Sequence, residues 1–245
     1  MLKVSCVSYL NAAPFVYGLQ AEQYRSQLQL QMETPSQCAA SFFGGNADVA
    51  LVPVGALSQC GDYQIITDYC IGAVNSVYSV CLFANEPINT LKIIYLDTHS
   101  RTSTKLIQIL TRNYWQIQPK FVPLQDNVYP PQKGAGYLLI GDKTFAQHRR
   151  FSHIYDLAEA WIAHTQLPFT FAVWLAQKSV CSADIATINN ALSFGIQHVS
   201  DVIQHRQSQY TDVDVARYLT QQIDYRLDTK KREAMQLFLS KIQNW

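Results

Sequence analysis

The chain has 245 residues, 48% of them hydrophobic and 15% charged, with a formal net charge of +1. That length holds one large core or two modest ones, and so even a balance of charge gives no electrostatic reason to bind nucleic acid. No apolar run approaches the roughly 20 residues of a membrane-crossing helix, and Met1-Leu2-Lys3 leads into a strand pattern without the features of an export signal.

Residues 4–8 alternate as a strand and run into Ser8-Tyr9-Leu10-Asn11; residues 12–19 then read as a short helix that tolerates Pro14 in its first turn. Residues 28–32 form a second strand. Ser36 is the expected N-cap of a helix through Phe43, closed by Gly44-Gly45. Asp48-Val49-Ala50-Leu51-Val52-Pro53-Val54 follows as a buried strand. This alternation of strands and helices favours a largely parallel sheet with helical crossovers. The apolar stretch 69–83 reads as strand, because Val74, Val77, Tyr78 and Val80 favour a pleated surface.

A second round opens with a strand at 91–96 and a helix from Ser100 or Thr102 that places Leu106, Ile107, Ile109 and Leu110 on one side. A strand at 121–124, a loop over 126–136 with Pro130-Pro131, and a buried strand at 137–140 stopped by Gly141-Asp142 come next. Residues 156–163 are expected to be helical and 169–176 to be an apolar strand. Beyond 180 the pattern is helical: 183–204, 212–222 and 229–242. The expected organisation is a discontinuous first lobe, 1–87 and 177–245, around a second lobe at 88–176, with the stretches 69–83 and 169–176 as connections.

Cys6, Cys38, Cys60, Cys70, Cys81 and Cys181 show no CxxC spacing and mostly sit in apolar stretches. They read as thiols of a reducing cytoplasm, though an even number leaves disulfides open. The histidines form no ligand-spaced set with cysteine or aspartate, so no zinc site is expected. The glutamates are scattered, which leaves no acid–base pair of the usual kind.

Two polar turns follow buried strands, where α/β proteins place ligand mouths. In the first, Ser8 and Asn11 present a hydroxyl and an amide beside a helix start, a combination suited to a carboxylate. Equally, Ser8 could cap the helix and Asn11 satisfy its own turn. The second turn holds Thr98, Ser100, Arg101, Thr102 and Ser103. Its hydroxyls and helix-start N–H groups would form an oxyanion platform, with Arg101 adding a bidentate contact; the other reading is an ordinary cap and a solvated arginine. Ser79 stands between Tyr78 and Val80 as a donor reaching inward from a strand. Asp142 either orients a donor, accepts a substrate hydroxyl, or caps the following helix. Two such mouths point to a small polar ligand held between lobes.

With these residues in place, the chain resembles the menaquinone-biosynthesis chorismate dehydratases of the futalosine route. The likeness rests on Ser8-Tyr9-Leu10-Asn11-Ala12-Ala13-Pro14, Asp48-Val49-Ala50-Leu51-Val52-Pro53-Val54, Ser79-Val80 and Ser100-Arg101-Thr102-Ser103. It continues through Ile140-Gly141-Asp142, Asp156-Leu157-Ala158-Glu159-Ala160-Trp161 and Leu167-Pro168-Phe169-Thr170-Phe171-Ala172-Val173-Trp174. The matches span about residues 4–205, and the C-terminal helices add little. Val74-Asn75 stands where many members carry Asp-Gly. A related branch of the family handles a dehypoxanthine futalosine intermediate; the Ser-Tyr-Leu-Asn and Ser-Arg-Thr-Ser runs favour the chorismate branch.

The resemblance implies an α/β, two-lobed, type II periplasmic-binding-protein-like fold working as a cytoplasmic enzyme. It implies loss of water from chorismate to give 3-[(1-carboxyvinyl)oxy]benzoate, with Asn11 at the key catalytic position and no cofactor, nucleic-acid or membrane partner. Substrate contacts are then expected from Ser8, Ser79, Thr98, Ser100, Arg101, Thr102, Ser103 and Asp142. A neutral amide is a poor base, so the enolpyruvyl carboxylate of the substrate is expected to take the proton. The competing expectation is an intracellular protein that binds an aromatic carboxylate without transforming it.

Overall fold

The computed structural model describes residues 1–59, 63–125, 128–130 and 132–243. Along the first half run β1 (Leu2–Val7), α1 (Ala13–Leu19), α2 (Glu22–Arg25), β2 (Leu28–Glu33), α3 (Pro35–Phe43), β3 (Val49–Pro53) and β4 (Gln64–Ala73). Next come β5 (Val80–Ala84), β6 (Ile93–Leu96), α4 (Thr102–Asn113), β7 (Lys120–Pro123), β8 (Ala135–Ile140), β9 (His153–Asp156), α5 (Leu157–Thr165) and β10 (Phe169–Ala176). The chain closes with α6 (Ser182–Gln197), α7 (Val199–Arg206), α8 (Val215–Arg217), β11 (Asp224–Arg226) and α9 (Thr229–Gln243).

Two sheets organise these elements: six strands in the order β11-β4-β10-β3-β1-β2, and five in the order β7-β6-β8-β5-β9. β1 is parallel to β2 and β3, as a strand–helix–strand run dictates. The sheet then turns antiparallel, with β10 between β3 and β4 and β11 on the far side of β4. β3 and β10 are buried along their whole length, which is why they read as continuous apolar runs rather than alternating ones. α6 packs on α1 and α9 on β10, so the C-terminal segment belongs to the six-stranded lobe.

The strands divide between lobes at other places than the sequence suggested. β5 pairs with β8 and β9 in the five-stranded sheet, whereas β10 pairs with β3 and β4 in the six-stranded one. The chain therefore crosses at 74–79 and 166–168, not at 88 and 177, and the stretch 69–83 is two strands of different sheets. Apolar patterning marks each strand, but its sheet is chosen by partners distant in sequence. Helix α3 starts two residues earlier than expected: Thr34, not Ser36, is its N-cap, in a capping box with Gln37. The helix expected over 183–204 breaks at His198, and 212–222 resolves into α8 and a π-helical turn, Tyr218–Gln222.

Cys6, Cys38, Cys70 and Cys81 are buried free thiols and Cys181 is an exposed one. Cys60, together with part of the loop expected over 126–136, lies outside the described residues. Among the described residues no helix is long and apolar enough to cross a membrane.

Candidate functional site

The two polar turns meet across the cleft. β1 delivers the turn Tyr9-Leu10-Asn11 from the six-stranded lobe, and the loop after β6 delivers Ser100 and the start of α4 from the other. Between them lies a cavity of about 50 Å³ lined on its polar side by Tyr9, Asn11, Ser100, Thr102 and Ser103. Val77, Val80, Ile140, Ile71, Phe171 and Ala172 supply an apolar wall. Ordinary small-molecule pockets are about 300 Å³ or larger, so the cavity in this arrangement is too small to hold a ring ligand.

The decisive atom is Oδ1 of Asn11. It is buried and has no hydrogen-bond partner among the described residues. A buried amide oxygen left unpaired costs about 1–3 kcal/mol, and a partner supplied by a ligand would recover it. The turn itself is held elsewhere: Ala12 N–H donates to Tyr9 O, and the Asn11 carbonyl accepts from the Tyr225 hydroxyl at 3.0 Å. Asn11 does not satisfy its own turn with its side-chain oxygen.

At the α4 start the hydroxyls are engaged within the protein. Thr102 Oγ1 accepts from Gly55 N–H and donates to Phe171 O, each at 3.0 Å, bridging the lobes. Gly55 is required there, since a Cβ would stand 2.7 Å from Arg101 O and from Thr102 Cα. Ser100 Oγ accepts from Ser103 N–H at 2.9 Å, which makes it the functional cap of the helix. Lys105 reaches back to Gly55 O and Ser58 Oγ; burial first, and the Arg101 charge second, hold its pKa below the usual lysine value.

Asp142 caps nothing in its own segment. Its carboxylate accepts from Leu10 N–H at 2.9 Å and from the Tyr210 hydroxyl at 2.8 Å, tying the five-stranded lobe to the first turn. Burial raises its pKa above the ordinary aspartate value, against the lowering effect of those two hydrogen bonds. The adjoining Gly141 has φ +71° and packs against the Tyr9 ring, so close that a Cβ would fall 2.6 Å from a ring carbon. Tyr9 also hydrogen-bonds His99 Nδ1 across the cleft at 3.2 Å. Its phenol is pushed well up by burial and by the nearby Asp97 and Asp142, so it keeps its proton.

A larger open groove of about 800 Å³ lies between α6 and β11. Its Asn189 amide donates to Ile66 O and Ile185 O, and its Asp68 pairs with Arg232. Those groups are satisfied, so the smaller interlobe cavity is the better candidate.

A family model described as Menaquinone biosynthesis matches residues 2–244. The chain belongs to that menaquinone-biosynthesis family. It is homologous to the chorismate dehydratase of Thermus thermophilus, with 26% identity over 188 residues, covering 69% of this chain and 68% of that protein. Among solved structures, a protein of Archaeoglobus fulgidus superposes with a TM-score of 0.73 at 12% identity, covering 99% of this chain and 97% of that one. The alkanesulfonate-binding protein SsuA of Xanthomonas axonopodis pv. citri, bound to MOPS, gives 0.65 at 12% identity, covering 99% and 92%. The periplasmic aliphatic sulphonate-binding protein SsuA of Escherichia coli gives 0.61 at 11%, covering 99% and 91%. The fold is thus the two-lobed, type II periplasmic-binding-protein-like α/β fold expected from the family resemblance.

Of the residues singled out in the sequence of this family member, Asn11, Ser100, Thr102 and Ser103 line the cavity. Ser8 and Thr98 are exposed and do not. Arg101 is half-buried beside the α4 start without lining it, and Asp142 is a tie between lobes. Ser79 is fully buried one residue before the lining Val80, its Oγ accepting from the Tyr218 hydroxyl at 2.7 Å. Tyr9 was missed as a site residue. Its signal was present, as the one aromatic with a polar tip inside the first turn. Among the described residues no group of three or more His, Cys, Asp or Glu is placed to hold a metal ion.

Proposed function

We propose that the interlobe site dehydrates chorismate to 3-[(1-carboxyvinyl)oxy]benzoate and water in menaquinone biosynthesis, a carbon–oxygen lyase reaction. The unpartnered, buried Oδ1 of Asn11 at the cavity carries this reading, and the homologous Thermus chorismate dehydratase supports the choice of substrate. The apolar wall suits the ring. The Ser100 and Ser103 hydroxyls suit one carboxylate, the Ser79 hydroxyl, one residue from the cavity wall, suits the other, and Asn11 Oδ1, an acceptor, suits the substrate's ring hydroxyl.

Among the described residues, the cavity lining contains no Asp, Glu, His, Lys or Arg. A protein base is therefore not at hand, and the enolpyruvyl carboxylate takes the ring proton beside the ether. The C–H electron pair becomes a ring double bond as the neighbouring C–O bond breaks, and the hydroxyl leaves with a proton as water. Aromatisation drives the step, so the protein contributes orientation, exclusion of water and a polar anchor at Asn11.

Incubation of the purified chain with chorismate, followed by mass spectrometry and aromatic absorbance, tests the proposal. Conversion to the aromatic enol ether is expected. Stable binding without conversion would replace the enzyme with a sensor of aromatic carboxylates. A substrate analogue lacking the enolpyruvyl carboxylate should bind and stay intact; its turnover would end the substrate-assisted step.

A further inference from the structure

Three tyrosines of the C-terminal segment, Tyr210, Tyr218 and Tyr225, each donate a hydroxyl hydrogen at or beside the candidate site: to the lining Asn11, to Ser79 one residue from the lining Val80, and to the interlobe tie Asp142. Tyr225 donates to the Asn11 carbonyl at 3.0 Å, Tyr218 to Ser79 Oγ at 2.7 Å, and Tyr210 to Asp142 Oδ2 at 2.8 Å. We propose that this segment is a brace, with Tyr218 and Tyr225 the positioning residues that aim Ser79 and Asn11 at the substrate. The claim rests on the dehydratase reading above.

The contacts are built rather than incidental. Tyr225 lies on β11, which pairs with β4 at Asp224↔Gly72 and Arg226↔Tyr69. The fully buried Lys231 fixes the same strand, its Nζ 3.1 Å from Asp224 and 3.3 Å from Asp228. The Tyr225 ring meets Phe15 edge-on at 5.3 Å, so the hydroxyl has little freedom to swing away. Pro14, three residues after Asn11, brings no N–H to the first helical turn, and the hydroxyl of Tyr225 occupies the Asn11 carbonyl instead.

Tyr218 lies in the π-helical turn, where an extra residue per turn re-aims a side chain, a feature that recurs at functional sites. Phe145 packs edge-on against both Tyr218 (5.1 Å) and Tyr210 (6.0 Å). Burial raises the Tyr218 phenol far above its usual value, so it keeps the hydrogen that it donates to Ser79 Oγ. Ser79 Oγ then accepts one bond and keeps its own hydrogen to give to a carboxylate. The Asn11 contact is different in kind, because it fixes the peptide that carries the amide and leaves Oδ1 itself unpaired.

The roles separate kinetically. Tyr218→Phe should raise KM for chorismate about tenfold with kcat within about twofold, the loss of one oriented hydrogen bond. Tyr225→Phe should lower kcat about tenfold with little change in KM. In a Ser79→Ala background, Tyr218→Phe should add nothing further, since its hydroxyl acts only through Ser79. Circular dichroism and thermal melting check folding; if Tyr218→Phe does not fold, the kcat of Tyr225→Phe carries the test. Unchanged constants in both variants of an active protein would overturn the brace, as would an equal Tyr218→Phe effect with and without Ser79. Should wild type bind chorismate without turnover, the dehydratase reading fails. Calorimetry then reads the brace: about tenfold weaker binding in Tyr218→Phe alone supports it, and equal binding refutes it. Wild type that neither binds nor converts chorismate overturns both.

Discussion

The turn after β1 and the start of α4 look alike in sequence, each a cluster of small polar residues behind an apolar strand. Their hydrogen bonds differ. The α4 start is closed on itself and on the opposite lobe, with Thr102 bridging Gly55 and Phe171 and Ser100 capping Ser103. The β1 turn is braced from outside by Tyr225 and Asp142 and leaves Asn11 Oδ1 buried without a partner among the described residues. Polar side chains at a cavity are thus of two kinds: those that build the wall, and those held ready for something else.

The largest effect should fall on Asn11. Asn11→Ala removes an oxygen without a hydrogen-bond partner among the described residues, so melting should change little while turnover with chorismate drops about 100- to 1,000-fold. A large loss of stability instead would place Asn11 with the wall. Thr102→Val should show the reverse: two buried backbone groups lose their partner, at about 2–3 kcal/mol by denaturant unfolding, with a smaller kinetic loss than Asn11→Ala. Next is Gly141→Ala, where a left-handed backbone costs about 1–2 kcal/mol and the new methyl displaces the Tyr9 ring. Unfolding and KM measured together should both worsen.

The smallest effect is a pH slope. The Asp142 pKa is raised by folding, so between the ordinary value of 3.8 and its folded value the native state holds more of this proton than the unfolded state. Its contribution to stability is therefore present at low pH and declines as pH rises through that window. The stability difference between wild type and Asp142→Asn should fall with pH there and level off above it. A difference that grows with pH would reverse the assignment of burial as the dominant cause.

Much of the fold could be read from local pattern. β10 is found at 169–176 because every residue of the run is buried, and α4 because its apolar residues repeat at helical spacing. Lobe membership was not legible, because β5 and β10 differ in their partners rather than in composition. The site divides in the same way. Asn11 and the Ser100–Ser103 run are visible as polar residues at strand ends. The meaning of Asp142 is not, since its partners Leu10 and Tyr210 stand 132 and 68 positions away. The C-terminal tyrosines carry no motif at all; only folding brings three hydroxyls to three site residues.

The small interlobe cavity has a thermodynamic corollary. Under the proposed function a ring enters as the lobes part, so every link that favours the shut arrangement, Leu10–Asp142, Tyr9–His99 and Thr102 with Gly55 and Phe171, is subtracted from apparent affinity. Variants that weaken those links without moving a lining residue such as Tyr9 or Asn11 should capture substrate more readily yet let water in during the reaction. Grip and admission are thus opposed at the same few hydrogen bonds of this chain.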